Sequence, residues 1–301
     1  MTKRLPIDDA LPELLDALRR TGRAVLQAPP GAGKTTRVPL AMLDGLSLDG
    51  RILMLEPRRL AARGAAQRMA DTLGEPVGRT VGYRIRGERK TSATTRIEVV
   101  TEGILTRLLQ SAPDLPGVAA VIFDEFHERS LNADLGLALC LEVTEALRDD
   151  LMLLAMSATL DAEPVASLMN APLVTSAGRA FAVETRWLDR ALPPKARRDL
   201  AMADLIVQAQ AGTRAMGGSL LAFLPGEGEI RSVAKALSGR LPGDCITEPL
   251  FGAMDFKAQQ AAIAPALSGR KVILSTSIAE TSLTLPDIRV VVDGARSKNT
   301  A

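Results

Sequence analysis

The chain has 301 residues, 47% hydrophobic and 24% charged, enough to bury one large core or two modest ones, and two domains is the expected organisation. A net charge of +2 demands no nucleic-acid partner by itself, and two isolated cysteines, Cys140 and Cys245, argue against a disulfide framework or a zinc site. The opening MTKRLPIDDALPELL lacks the apolar core of a signal peptide, and no segment reaches the roughly 20 apolar residues that span a bilayer, so a cytoplasmic location is expected.

An apolar run, Ala24, Val25 and Leu26, leads into APPGAGKTT at 28–36, and the segment reads as strand (24–28), phosphate loop, helix. Gly31 and Gly33 allow the backbone N–H groups of the Pro30–Gly33 turn, Ala32 included, to close on phosphate oxygens, while the N-terminus of the next helix adds partial positive charge. Lys34 reaches the terminal phosphates, and Thr35, followed by Thr36, offers a hydroxyl to Mg2+, which prefers hard oxygen ligands. Ala28 stands where the usual G-x-x-x-x-G-K-[ST] pattern has its first glycine, a tolerable change at a strand end.

A second strand is predicted at 51–56, and basic residues follow it: Arg58, Arg59, Arg63 and Arg68, then Tyr83, Arg84, Arg86, Arg89, Lys90 and Arg96. The later group reads as a solvated face. Strands at 96–101 and 119–124 come next, and the latter ends on Asp124 and Glu125, as a buried parallel strand does when it delivers acids at its C-terminal edge. Asp124 is expected to hold the magnesium and Glu125 to orient and deprotonate an attacking water. His127, the only histidine, reads either as a structural hydrogen-bonder or, beside this acid pair, as a link between nucleotide and a facing domain.

A fifth strand is expected at 151–156. Beyond residue 170 proline, glycine and mixed charge mark a connection, near which Trp187 is expected to pack. Strands at 220–224, 245–250, 272–275 and 288–293 then repeat the alternation with helices. Met42, Met54, Met69 and Met156 fit core positions, and Cys140 and Cys245 read as small core residues. The fold class is α/β, two tandem domains with mainly parallel sheets, divided as 1–178 and 179–301.

The order APPGAGKTT, EPRRLAAR (56–63), TEGILTR (101–107), DEFHERS (124–130), SAT (157–159), FLPGEGEI (223–230) and STSIAETSLTLPDI (275–288) resembles superfamily 2 helicases of the DEAH-box group. DEFHERSLNADL and VGYRIRG point within that group to the bacterial HrpB branch. The resemblance covers about residues 20–293 and implies RecA-like domains, ATP and Mg2+ as cofactors, and single-stranded RNA as partner, with DNA left open.

It further implies that Arg58, Arg59 and Thr101 line a groove for the RNA backbone, contacts that carry little sequence information. Arg68 corresponds to a residue that stacks on the nucleotide base, and the aromatic counterpart of that sandwich falls on Ile263. Ser157, Ala158 and Thr159 couple nucleotide state to domain closure. Thr276, Ser277 and Thr281 meet RNA phosphate or nucleotide, or else cap the helix that follows them. Members of the family continue past VVVDG into an arginine motif worth about 10³ to 10⁵ in turnover. Its absence after ARSKNTA leads to the expectation of a truncated second domain, and two readings stay open: an ATP-dependent RNA helicase, or a nucleotide- and RNA-binding module with little turnover.

Overall fold

The computed structural model describes residues 4–158, 162–178, 182–188, 190–193, 195–279 and 285–294. It forms two compact units, residues 1–182 and 183–301. In the first, the elements run α1 (Leu11–Thr21), β1 (Arg23–Gln27), α2 (Lys34–Gly45), β2 (Arg51–Glu56), α3 (Arg59–Leu73), β3 (Val81–Ile85), β4 (Glu88–Lys90) and β5 (Ile97–Thr101). They continue with α4 (Glu102–Ser111), β6 (Val118–Phe123), α5 (Leu131–Ala146), β7 (Met152–Ser157), α6 (Glu163–Met169) and β8 (Leu173–Thr175).

These strands make one sheet in the order β4-β3-β5-β2-β6-β7-β1-β8, parallel throughout except for the β3–β4 hairpin. Helices cover both faces, so central strands carry apolar residues at nearly every position: all six residues of β6, VAAVIF, are buried. The two-residue period of a strand divides the core. Ile52 and Met54 of β2 join Leu14, Leu18 and Met69 on one face, while Leu53 and Leu55 join Leu105, Leu137 and Phe123 on the other. The methionines expected in the core, Met42, Met54, Met69 and Met156, are all fully buried, as is Cys140.

Three strands in two places escaped the sequence pattern. The basic stretch expected to be a solvated face forms the β3–β4 hairpin, where Arg84 Nε donates to buried Glu98 at 2.7 Å and Arg51 approaches the same carboxylate at 3.4 Å. Tyr83 is buried and bonds Glu88, which also meets Arg63. Val81, Tyr83 and Ile85 alternate into the core while the ion pairs hold the basic side chains between them, and only Arg86, Arg89, Lys90 and Arg96 fit the solvated reading. The second place is β8, which pairs with β1 inside the stretch read as connection. Trp187 does not pack there: it is 85% exposed, and among the described residues 182–193 there is no helix or strand.

The second unit holds α7 (Arg198–Gly212), β9 (Ser219–Phe223), α8 (Glu227–Leu237), β10 (Cys245–Leu250), α9 (Phe256–Ile263), β11 (Arg270–Ser275) and β12 (Ile288–Asp293). Its sheet is parallel, in the order β10-β11-β9-β12. Met202, Ile206, Ile230 and Val233 from α7 and α8 pack on Leu220, Val272 and Leu274, and Ala262 of α9 packs on Leu221, Leu250 and Ile273. Cys245 is half-buried at the start of edge strand β10, where Gln210 Nε2 donates to its sulfur at 3.1 Å.

Two buried cations open β11. Lys271 Nζ donates to the carbonyls of Ala261 at 2.7 Å and Ala264 at 2.8 Å, the unsatisfied acceptors at the end of α9. Arg270 bonds Gln210 O at 3.1 Å, Thr213 Oγ1 at 3.0 Å and the carbonyl of Gly218. Among the described residues no helix is long and apolar enough to cross a membrane.

Candidate nucleotide site

The strand order β6-β7-β1 sets the site. The phosphate loop leaves the C-terminal end of β1, the acids leave the C-terminal end of β6, and β7 lies between them and ends on buried Ser157. Ala28 N donates to Ser157 O at 3.0 Å, tying the start of the loop to β7. Gly31 and Gly33 take φ of 76° and 97°, a region that costs a side-chain-bearing residue dearly. Helix α2 starts at Lys34 with Gly33 as its N-cap and no side-chain cap, so its first N–H groups remain for an anion. Thr35 and Thr36 lie in that first turn, with Thr36 Oγ1 3.4 Å from Gly33 O.

Lys34 is 4% exposed, and its Nζ sits 3.1 Å from Glu125 Oε1. Glu125 itself stands at φ 50°, ψ 35°. A non-glycine residue in that region costs on the order of 1–3 kcal/mol, and such strain gathers at functional sites. Asp124 Oδ1 accepts the Glu125 N–H at 2.8 Å, which fixes the carboxylate plane, and the buried Asp124 side chain is also a hydrogen-bond partner of the neighbouring Glu56 carboxyl. A carboxylate oxygen has room for more than one partner, and a buried acid beside a helix start bearing Thr35 fits a hard cation or its bound water.

Three carboxyls crowd the strand ends. Glu56 closes β2 next to Asp124, whose N–H donates to Leu55 O at 3.1 Å. Burial first, and then the Asp124 charge, hold the Glu56 carboxyl well above the ordinary carboxylate range. Burial also pushes Glu125 up, to about 7, with Asp124 adding to the effect and Lys34 opposing it. On α3, burial lowers the Arg68 guanidinium while Glu56 opposes the shift, and its Nε is shielded without a partner. The structure thus places Arg68 near a buried acid on the strand end.

His127 is pulled down by burial and by Lys34. In the neutral ring Nδ1 accepts the Ala158 N–H at 3.3 Å, which leaves the Glu125 Oε2 contact at 3.4 Å a neighbour and not an ion pair. The histidine therefore bridges the acid segment and SAT within the first unit. Arg58 Nη2 lies 3.5 Å from Glu128 Oε2, tying EPRR to the same acid segment, and Arg59 is exposed. Thr101 is the N-cap of α4 yet makes no side-chain capping bond. Thr276 follows β11 and Ser277 opens the short 3-10 turn Ser277–Ala279; Thr159 and Thr281 lie outside the described residues. Ile263 is half-buried against the Leu250 and Ala262 cluster. Glu56 and Glu128 were not singled out from sequence, although an acid closing the apolar run RILMLE repeats the signal that marked Asp124.

The loop, the buried lysine and the acids at adjacent parallel strand ends define a P-loop nucleotide-binding domain. The family model for the DEAD/DEAH box helicases matches residues 8–168, and the chain belongs to that family. It is 52% identical over 98% of its length to the ATP-dependent RNA helicase HrpB of Escherichia coli and spans 36% of that protein. To the ATP-dependent RNA helicase HrpA of the same organism it is 33% identical over 96% of its length, spanning 22%. A crystal structure of E. coli DEAH/RHA helicase HrpB superposes with a TM-score of 0.89 at 52% identity, covering 97% of this chain and 37% of that one. The chain thus spans little more than a third of these relatives at most.

Proposed function

We propose that the chain carries the nucleotide-hydrolysing core of an ATP-dependent RNA helicase. The pairing of buried Lys34 with Glu125 beside the buried Asp124 carboxylate is the observation that supports it most. Lys34 and the N–H groups of Gly31, Gly33, Lys34 and Thr35 hold the phosphates of ATP, with Ala32 and Thr36 completing the loop around them. Thr35 and Asp124 hold Mg2+, which when bound neutralises phosphate charge. Glu125 takes the proton of the attacking water, a task suited to a carboxyl with a pKa of about 7.

Arg58, Arg59 and Thr101 contact the RNA backbone, with Thr276, Ser277 and Thr281 doing so from the second unit, and Arg68 faces the base. Ser157, Ala158 and Thr159 transmit the nucleotide state, reached from Glu125 through His127, whose Nδ1 holds the Ala158 N–H. The test is ATP hydrolysis with and without single-stranded RNA, the chain beside Glu125→Gln. Hydrolysis that RNA accelerates and Glu125→Gln lowers by about 10² to 10⁴ is expected. An unchanged rate in the variant excludes Glu125 as the base.

A further inference from the structure

The residues before α1 have no role in the reading above, yet they touch the phosphate loop. Pro6–Asp9 forms a 3-10 turn whose Ile7 is fully buried. Ile7 N donates to Ala32 O at 3.2 Å, in the middle of the loop. The side chain of Leu5 lies over Gly33, so a β-carbon there would come within 2.6 Å of Leu5 Cδ1. The Asp8 carboxylate accepts Leu5 N at 2.9 Å through Oδ2, and its Oδ1 lies 3.6 Å from Arg37 Nε on the first turn of α2. Ser176 Oγ donates to Pro6 O at 3.3 Å and Ser176 N donates to Gln27 O at 2.8 Å, fastening the turn to the end of β1.

Resting on the nucleotide reading, we infer that Leu5–Asp8 is a positioning brace that sets the phosphate loop for a nucleoside di- or triphosphate before it arrives. The peptide joining Ala32 to Gly33 is planar and trans, so its C=O and N–H point in opposite directions. With the Ala32 carbonyl held by Ile7, the Gly33 N–H is turned away from the brace, to the open side of the loop. Ala32 N is meanwhile held by Pro29 O at 3.2 Å, and Thr36 N and Arg37 N by Gly33 O at 3.3 and 2.9 Å. The loop conformation is therefore specified from both sides. An unbraced loop samples other peptide orientations, and apparent affinity falls by the fraction of time that it is in the competent one.

The brace acts through the loop, so its loss must appear in nucleotide affinity and not only in stability. Magnesium ADP is titrated calorimetrically into the 301-residue chain, Leu5→Ala/Asp8→Ala, Leu5→Met, and Leu109→Ala, the last trimming a buried α4 side chain on the opposite face of the sheet. The double variant is expected to raise Kd roughly five- to thirtyfold and KM for ATP in step, with kcat held within about twofold. Leu5→Met is expected to retain wild-type Kd, and Leu109→Ala to lower Tm without moving it. Equal Kd for the double variant and wild type, or an equal rise in Leu109→Ala, overturns the brace. A wild-type chain that binds no nucleotide sinks the reading on which the brace rests, and is told apart because the loss then appears before any substitution.

Discussion

Lys34 Nζ and Glu125 Oε1 lie 3.1 Å apart, with side-chain exposures of only 5% and 10%. A candidate phosphate-binding cation and a candidate base thus meet across the gap between the ends of β1 and β6. A buried pair of this kind contributes little net stability, because desolvation offsets most of the attraction, but it fixes which group faces which.

The pair sets a pH dependence. Glu125 has its folded pKa raised from 4.5 to about 7, so the folded state holds this proton more tightly than the unfolded state. Its contribution to stability therefore falls as pH rises from about 4.5 to about 7 and is level above that. Glu125→Gln removes the titration. In urea unfolding the variant should match wild type near pH 4 and exceed it by on the order of 3 kcal/mol near pH 8. A gap that is independent of pH refutes the shift.

Loss of His127 leaves the Ala158 N–H without its 3.3 Å acceptor. His127→Ala should keep ADP affinity near wild type while cutting the RNA-stimulated ATPase rate about tenfold, the effect of roughly 1.4 kcal/mol. Asn at 127, which offers another acceptor, should recover part of the loss. Full stimulation in His127→Ala would remove the histidine from the coupling path.

Glu128 holds Arg58 at 3.5 Å, and on the proposed function it competes there with an RNA phosphate. Glu128→Gln should tighten single-stranded RNA binding about two- to fivefold, the scale of a partly exposed ion pair. Affinity should also fall steeply with salt and depend little on base sequence, since phosphate contacts release counterions. Fluorescence anisotropy against salt checks both, and weaker binding by the variant would contradict the competition.

In the second unit, Lys271→Met leaves the part-buried Ala261 and Ala264 carbonyls without their donor. A cost of about 1–3 kcal/mol is expected, local to α9 and β11. Hydrogen exchange should rise in those elements and stay unchanged in β1 and β6. Uniform acceleration in both units would show that the lysine acts elsewhere.

Apolar runs made most strands legible: β2, β10 and β12 fall on the residues expected, and the others lie within two positions at either end. The phosphate loop and acid pair were legible because the chemistry requires fixed residue types next to such runs. What escaped was held by partners distant in sequence. Arg84 looks solvated until Glu98 is seen buried against it, and β8 is too short to signal itself beside β1. Trp187 reads as packing because large aromatics usually bury, but it is exposed, and the described residues next to it in sequence form no helix or strand. The contact of Ile7 with Ala32 has no local pattern at all, since a backbone N–H is common to every residue but proline.

The most direct test of nucleotide binding at this loop is calorimetric titration of magnesium ATP into the chain and into Lys34→Ala. Wild type should bind, and the variant should lose at least a hundredfold in affinity, roughly 2.7 kcal/mol or more, because a charge-assisted contact to the terminal phosphates is gone. Equal affinity in the two proteins would contradict the assignment of the site.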